Sequence, residues 1–402
     1  MAPTNATTPA PRPEPTGRAS SPSAAPAGPA PKLSTDILGE PWVARTISVA
    51  EFPAAPGADH AVLVHQRGAA PAPGSAGQPG TPRHERAVLY LHGRNDYFFQ
   101  TWLADAFLAA GYEFYALELR ACGRAGVGYW SPHDVRDLRV HDEEIAEALR
   151  IIRSEHGHST VVLNGHSTGG LQAAIWAGDR PGSVEAVTLN SPWLQLNSSG
   201  LVRSYGSAFI DLLSRRDPDR IIDNPSENTK LEQAAADPAA TPGQDPATGA
   251  QEDADAAASI PANTDPGPIE VDIYARTLHR RWGGEWDWDL TLKPSPSFPV
   301  RAGFLAGIRR LQREVRHGLG IGVPVLVCCS TASGGPGISR QEALRCDTVL
   351  SVEQIVERSR FLGEDVTVVQ IPGGVHDLVL SPSPVREEYL GTLTGWLTER
   401  LG

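Results

Sequence analysis

The chain has 402 residues, 40% of them hydrophobic, enough for one large domain or two ordinary ones with a sizeable core. Its formal net charge of −12, from Lys+Arg 35 against Asp+Glu 47, leaves no basic patch and argues against a nucleic-acid partner. Pro 35 and Gly 40 exceed ordinary usage, and the excess gathers in two stretches that cannot bury enough apolar surface to fold.

The first such stretch is residues 1–31, which carry no large aliphatic or aromatic side chain after Met1. A secretory signal needs an apolar block of roughly 7–15 residues and a membrane helix about 20. Neither is there, so the reading is a disordered tail on a cytoplasmic protein with no integral membrane segment.

From residue 32 short β-branched runs alternate with longer helix-like segments, the pattern of βαβ units around a mainly parallel sheet. "WVARTISVA" and "HAVLVHQ" read as leading antiparallel strands, followed by a loose loop from Gly68 to Pro82. Then come strand "RAVLYLH", a helix around Trp102 to Ala110, and strand "EFYALEL". The segment "HDEEIAEALRIIRSEHG" is an amphipathic helix with Ile145, Leu149 and Ile152 on one face and acids in its first turn. Strand "TVVLN", helix "LQAAIWAG" and strand "VEAVTLN" complete a first core portion, 32–191.

The rhythm then stops for about 130 residues, far more than the dozen or so an ordinary crossover needs, so 192–321 reads as an inserted cap. Within it lies the second unfolded stretch, 224–268, where eight acidic residues face the single Lys230 and supply −7 of the net charge. The alternation resumes in a second core portion, 322–402, with strands "GVPVLVCC" and "VTVVQI", helix "VEQIVERSRFLG" and a final helix from about Val385 to Leu401. There is no internal repeat.

The cysteines, Cys122, Cys328, Cys329 and Cys346, show no CxxC pairing and read as buried, reduced side chains. His156 and His158 lack partner ligands at metal-binding spacing, so no metal is expected. Arg outnumbers Lys by 32 to 3, which reads as composition rather than function.

The chemistry concentrates at Gly165-His166-Ser167-Thr168-Gly169, a G-x-S-x-G between a strand and a helix. A sharp turn there can raise the Ser167 hydroxyl above the sheet, and the glycines let two backbone segments approach. A serine hydroxyl needs a base, and the base a carboxylate that sets its tautomer. His376, on a Gly-Gly loop just after the last strand, is the candidate base; His92 and His166 are explained by local structure. Asp347, 29 residues before His376, is the candidate acid over Glu342, Glu353, Asp365 and Asp377. Two backbone amides would form an oxyanion hole: that of Thr168, at the helix N-terminus, and that of Arg94, in the loop after "AVLYLH".

With Ser167, Asp347 and His376 in this order and the "LHG" loop, the chain resembles the α/β-hydrolase superfamily. "LHGRNDYFFQTWLADAFLAAGYEFYALELRACGRA", the "GHSTGG" elbow and the cap are similar to its serine aminopeptidase and monoacylglycerol-lipase-like ("hydrolase 4") branch. The resemblance implies an α/β-hydrolase fold: a mainly parallel eight-stranded sheet with helices on both faces and a cap. It also implies a cofactor-free serine esterase or lipase, lysophospholipase-like, acting on a small-molecule ester. Two departures stand out: "ELRACGRA" replaces the common D-x-x-G-x-G-x-S, and the segment before Asp347 lacks the "HG-x-x-D" form.

Tyr97 and Phe98, with Phe99, and Trp286 and Trp288, with Trp282, could line an apolar acyl pocket or fix a cap to the core. Acyl transfer or aminopeptidase action would use the same acyl-enzyme. A noncatalytic ligand- or partner-binding protein is the reading from a different class.

Overall fold

The computed structural model describes residues 33–50, 58–68, 83–126, 134–196, 207–223, 271–335 and 337–402. The expected unfolded stretches, 1–31 and 224–268, lie outside the described residues. Three leading strands, β1 (Leu33–Thr35), β2 (Trp42–Ser48) and β3 (His60–Gln66), pair antiparallel. They precede β4 (Arg86–Leu91), helix α1 (Thr101–Ala109), β5 (Tyr112–Glu118), α2 (Asp142–Arg150), β6 (Thr160–His166), α3 (Thr168–Asp179) and β7 (Ala186–Asn190).

After β7 come α4 (Ser207–Arg216), the short strands β8 (Ile221–Asp223) and β9 (Val300–Arg301), α5 (Ile273–Leu278) and α6 (Ala302–His317). The chain then re-enters the main sheet with β10 (Val325–Ser330), α7 (Val352–Ser359), β11 (Val366–Ile371) and α8 (Val385–Leu401). Nine strands form that sheet, in the order β1-β2-β3-β5-β4-β6-β7-β10-β11, with β4 to β7, β10 and β11 all parallel. The ninth strand is β1, whose three exposed residues pair with Val43 to Arg45. A three-residue run has no periodicity to read, which is why eight strands were expected.

The apolar runs of the parallel strands are continuous because helices cover both faces. In β4, Ala87, Leu89 and Leu91 enter one core and Val88 and Tyr90 the other. Helix α2 delivers Ile145, Ala148 and Leu149 to the first core and runs on as a π-helical turn, Ile151–Glu155. Helix α8 delivers Tyr389, Leu393, Trp396 and Leu397 to the second. The order of this sheet puts the ends of β4, β6, β7, β10 and β11 side by side, where the candidate residues sit.

One histidine cluster in the first core is structural. The Tyr115 hydroxyl lies 2.7 Å from His156 Nδ1 and 2.8 Å from His158 Nε2, and the His65 ring packs 5.2 Å from that of His156. Burial lowers the pKa of all three below the ordinary 6.5, that of His156 to about 3. The unfolded chain therefore takes up protons below about pH 6.5 that the folded chain refuses, so stability is full above that pH and falls as the medium is acidified. Each such histidine costs roughly 1.4 kcal/mol per pH unit in that window. His156→Gln, which keeps a partner for Tyr115, is expected to flatten the decline of thermal midpoint between pH 6.5 and 4.5; an unchanged slope would place the acid sensitivity elsewhere.

Candidate active site

Ser167 is the junction of β6 and α3, and its backbone is strained, with φ 53° and ψ −113°. A non-glycine residue adopts this conformation only where surroundings impose it. Here its amide donates to Asn190 O at 3.0 Å, and its carbonyl accepts from Gly170 N at 3.0 Å and Trp193 N at 2.9 Å. The glycines serve close approach: a Cβ on Gly169 would run into the carbonyls of Leu91 and His92. Gly169→Ala would ordinarily favour the helix, yet is expected to lower stability by about 1–3 kcal/mol through that overlap. A thermal midpoint at or above wild type would show that the strand and helix can separate freely.

The Ser167 Oγ lies 3.0 Å from His376 Nε2, and His376 Nδ1 lies 2.9 Å from Asp347 Oδ2. The other Asp347 oxygen accepts from the amides of Val349, 2.8 Å, and Leu350, 2.7 Å. Asp347 is fully buried, Ser167 and His376 nearly so. The segment before Asp347 leaves β10, makes a short helix at Arg340–Ala343 and returns, with Asp347 N donating to Ala332 O at 2.9 Å. The absent "HG-x-x-D" spacing is thus replaced by a longer excursion that ends beside the same strand. Of the rival acids, Asp377 faces Asn190 Nδ2, 2.8 Å, and Gln100 Nε2, 3.1 Å.

The loop after β4 closes on this junction: a Cβ on Gly93 would lie 3.2 Å from Ser167 Cβ. Arg94 follows, its guanidinium donating to the carbonyls of Phe298, 2.9 Å, and Pro299, 2.8 Å, in the insertion. Thr168 opens α3, whose N-terminus carries the positive end of the helix dipole. His92, Gly93, Arg94, Thr168 and Phe304 are among the residues lining a small pocket beside the junction.

The aromatic candidates divide. Phe98 is core, packed against Trp42 at 5.2 Å and Phe114 at 5.1 Å between ring centroids. Tyr97 is held by its hydroxyl, which accepts from Asp289 N at 2.7 Å. Trp286 stacks on Trp102 at 4.2 Å and donates to Leu380 O at 2.7 Å. Tyr97 and Trp286 therefore join the segment between β7 and β10 to its surroundings, while Phe98 packs within the core; Trp286 and Trp288 have different neighbours. Trp288 lies nearer, 6.3 Å from Tyr274, whose ring is 6.4 Å from that of His376.

Beside His376 the structure assembles groups that the sequence reading passed over. The His166 ring is 5.1 Å from the His376 ring, and its Nδ1 is 3.3 Å from Asp96 Oδ2. Asp96 Oδ1 accepts from Lys293 Nζ at 2.7 Å, and that ammonium sits within 5.5 Å of the centroids of Phe99, Tyr274 and Trp288. Burial would lower the pKa of His166, but the Asp377 and Asp96 carboxylates outweigh it and hold the pKa above its ordinary value. Burial would raise that of Asp96, and Lys293 and His166 hold it low. The signal for Lys293 was its rarity, one of three lysines in a chain with 32 arginines. Among the described residues Asp96, His166 and Asp377 are the group whose ligand atoms lie within 4.8 Å of one another; the Lys293 ammonium already supplies a cation there.

Comparison with known proteins places this geometry in context. Residues 82–263 match the model of the family described as serine aminopeptidase, S33. A solved soluble variant of the monoglyceride lipase from Saccharomyces cerevisiae, in complex with a substrate analogue, is 15% identical with TM-score 0.51, covering 87% of this chain and 94% of that one. A highly thermostable carboxyl esterase from Bacillus coagulans, in complex with glycerol, is 14% identical with TM-score 0.51, covering 93% and 99%. At these identities the likeness concerns the fold. A search of curated proteins finds no match. No helix among the described residues is long and apolar enough to cross a membrane.

Proposed function

We propose that this chain, which has the α/β-hydrolase fold and matches a serine aminopeptidase family model over residues 82–263, is a serine hydrolase cleaving carboxylic esters of small molecules through an acyl-enzyme. The observation that carries the reading is the unbroken line from Asp347 through His376 to the strained Ser167, with bonds of 2.9 and 3.0 Å. Ser167 Oγ attacks the ester carbonyl while His376 Nε2 takes its proton. Asp347 holds Nδ1–H and offsets the charge of the imidazolium. The amides of Thr168 and Arg94 receive the oxyanion, and His376 returns the proton to the leaving alcohol. Water, deprotonated by the same histidine, then releases the acid.

A thiol nucleophile is disfavoured, since burial pushes Cys329 up to about 12 and Cys328 higher still. The four cysteines are buried and not joined in disulfides, which suits a reducing, cytoplasmic setting. The return to the sheet at β10 supports a division into core portions 32–191 and 322–402 around a cap, 192–321.

The test is hydrolysis of a p-nitrophenyl ester series from acetate to palmitate, with fluorophosphonate labelling mapped by peptide mass spectrometry. Turnover with label on Ser167 is expected, and the chain-length optimum separates a short-chain esterase from a lipase. No turnover together with no label would reject the hydrolase and leave a ligand- or partner-binding protein.

A further inference from the structure

Three consecutive residues of the loop after β4, which carries the proposed Arg94 oxyanion amide, are each held by the insertion. The Arg94 guanidinium donates to the carbonyls of Phe298 and Pro299, Asn95 Nδ2 donates to Pro294 O at 2.9 Å, and Asp96 Oδ1 accepts from Lys293 Nζ at 2.7 Å. Asn95 has φ 55°, in the left-handed region that glycine enters freely and other residues keep only where neighbours hold them. The holding segment is itself fixed: the Lys293 amide donates to Asp289 O at 2.9 Å, its carbonyl accepts from Trp288 Nε1 at 3.1 Å, and Ser295 Oγ donates to Asp272 Oδ2 at 2.7 Å, at the start of α5. Both members of the Lys293–Asp96 ion pair are buried, their side chains 7% and 2% exposed. The second Asp96 oxygen meets His166 Nδ1 at 3.3 Å, so one carboxylate joins the insertion to the residue before the nucleophile. The two proposed oxyanion donors flank this contact: Arg94 stands two residues before Asp96, and Thr168 two residues after His166.

We infer that Lys293 is a positioning residue for the oxyanion hole: through Asp96 it fixes the spacing of the Arg94 and Thr168 amides, with the bond from Asn95 to Pro294 as a second tie. This deepens, and rests on, the ester-hydrolase reading. A donor stabilises a developing oxyanion only if it is already aimed at the place the charge will occupy, so a loop released from its ties loses rate with little loss of substrate binding. A buried ion pair suits that task better than it suits stability. Desolvation offsets much of its attraction, yet its geometry is narrow and neither partner can leave alone without stranding a charge. The rings of Phe99, Tyr274 and Trp288 lie 5.5, 5.2 and 5.3 Å from Lys293 Nζ, and their attraction for the ammonium further fixes where it sits. The insertion thereby contributes to the geometry of the reaction centre through a side chain that touches no reacting atom.

The measurement takes kcat and KM on p-nitrophenyl butyrate, the thermal midpoint, and the inhibition constant of a trifluoromethyl ketone. That carbonyl takes up Ser167 Oγ, the proton passing to His376, and leaves an oxyanion in the hole. Lys293→Met is expected to lower kcat by roughly a hundredfold with KM little changed, and to weaken the ketone by a similar factor. Asn95→Gly accepts φ 55° and strands no charge, so it remains a folded probe if Lys293→Met is not; the same pattern at about tenfold is expected of it. Adding Asp96→Asn to Lys293→Met removes the stranded charge and is expected to recover the midpoint but not kcat. Recovery of kcat together with the midpoint, wild-type kcat in the folded variants, or a fall in kcat with ketone affinity intact would overturn the positioning role alone. No turnover and no fluorophosphonate label on wild type would overturn the hydrolase reading and this inference with it.

Discussion

Ser167→Ala is expected to lower kcat on any accepted ester by on the order of 10⁵-fold or more and to abolish fluorophosphonate labelling. The argument is that the only described side-chain partner of Oγ is His376 Nε2, 3.0 Å away. Removing the oxygen deletes the bond-forming atom while the amides of Thr168 and Arg94 remain, so a small residual rate over water is all that should persist. The fold should be unaffected, since alanine at φ 53° carries the same strain as serine. Ser167→Gly, which accepts that φ without penalty, should be equally inactive yet more stable than Ser167→Ala by roughly 1–2 kcal/mol. Retained turnover in both variants would show that the esterase activity belongs to another group. A lower midpoint for the glycine variant would show that the elbow is not strained.

Asp347→Asn is expected to cost about 10⁴-fold in kcat with little change in thermal stability. Two amides, of Val349 and Leu350, aim at one oxygen of this side chain. An asparagine must keep its carbonyl oxygen toward those donors, which turns its NH₂ toward His376 Nδ1. The imidazole then accepts at Nδ1 and carries its proton on Nε2, where it can no longer take one from Ser167. The defect is one of tautomer, so the Ser167–His376 spacing should persist while the rate falls. A rate within tenfold of wild type would remove Asp347 from the proposed machinery and direct attention to Asp377, whose oxygens are engaged by Asn190 and Gln100.

Much of the architecture was legible in the linear chain because it rests on local rules. Strands β3 and β11 and helix α8 fall where alternation and helical spacing put them, and the strand–G-x-S-x-G–helix junction is a contiguous signature. The order Ser167, Asp347, His376 was readable because each follows a recognisable strand or its loop. Strand β1 escaped because three exposed residues make no pattern, and the two faces of the parallel strands were indistinguishable because both are buried.

What the sequence by itself determined was the class of fold, the position of the elbow and the identity of a candidate nucleophile and base, all consequences of hydrophobic periodicity and short-range turn chemistry. Only the tertiary structure decided which side chains surround that base. Asp96 and Lys293 are 197 residues apart, and His166 and Tyr274 come from a strand end and an inserted helix; nothing in local spacing announces that they meet. Nor could composition distinguish Trp286, which stacks on Trp102 and donates to Leu380 O, from Trp288, which faces Tyr274. Such neighbourhoods arise from how long loops return across the sheet edge, and the free energy that selects them is that of packing and buried hydrogen bonding between distant segments, which local periodicity does not encode.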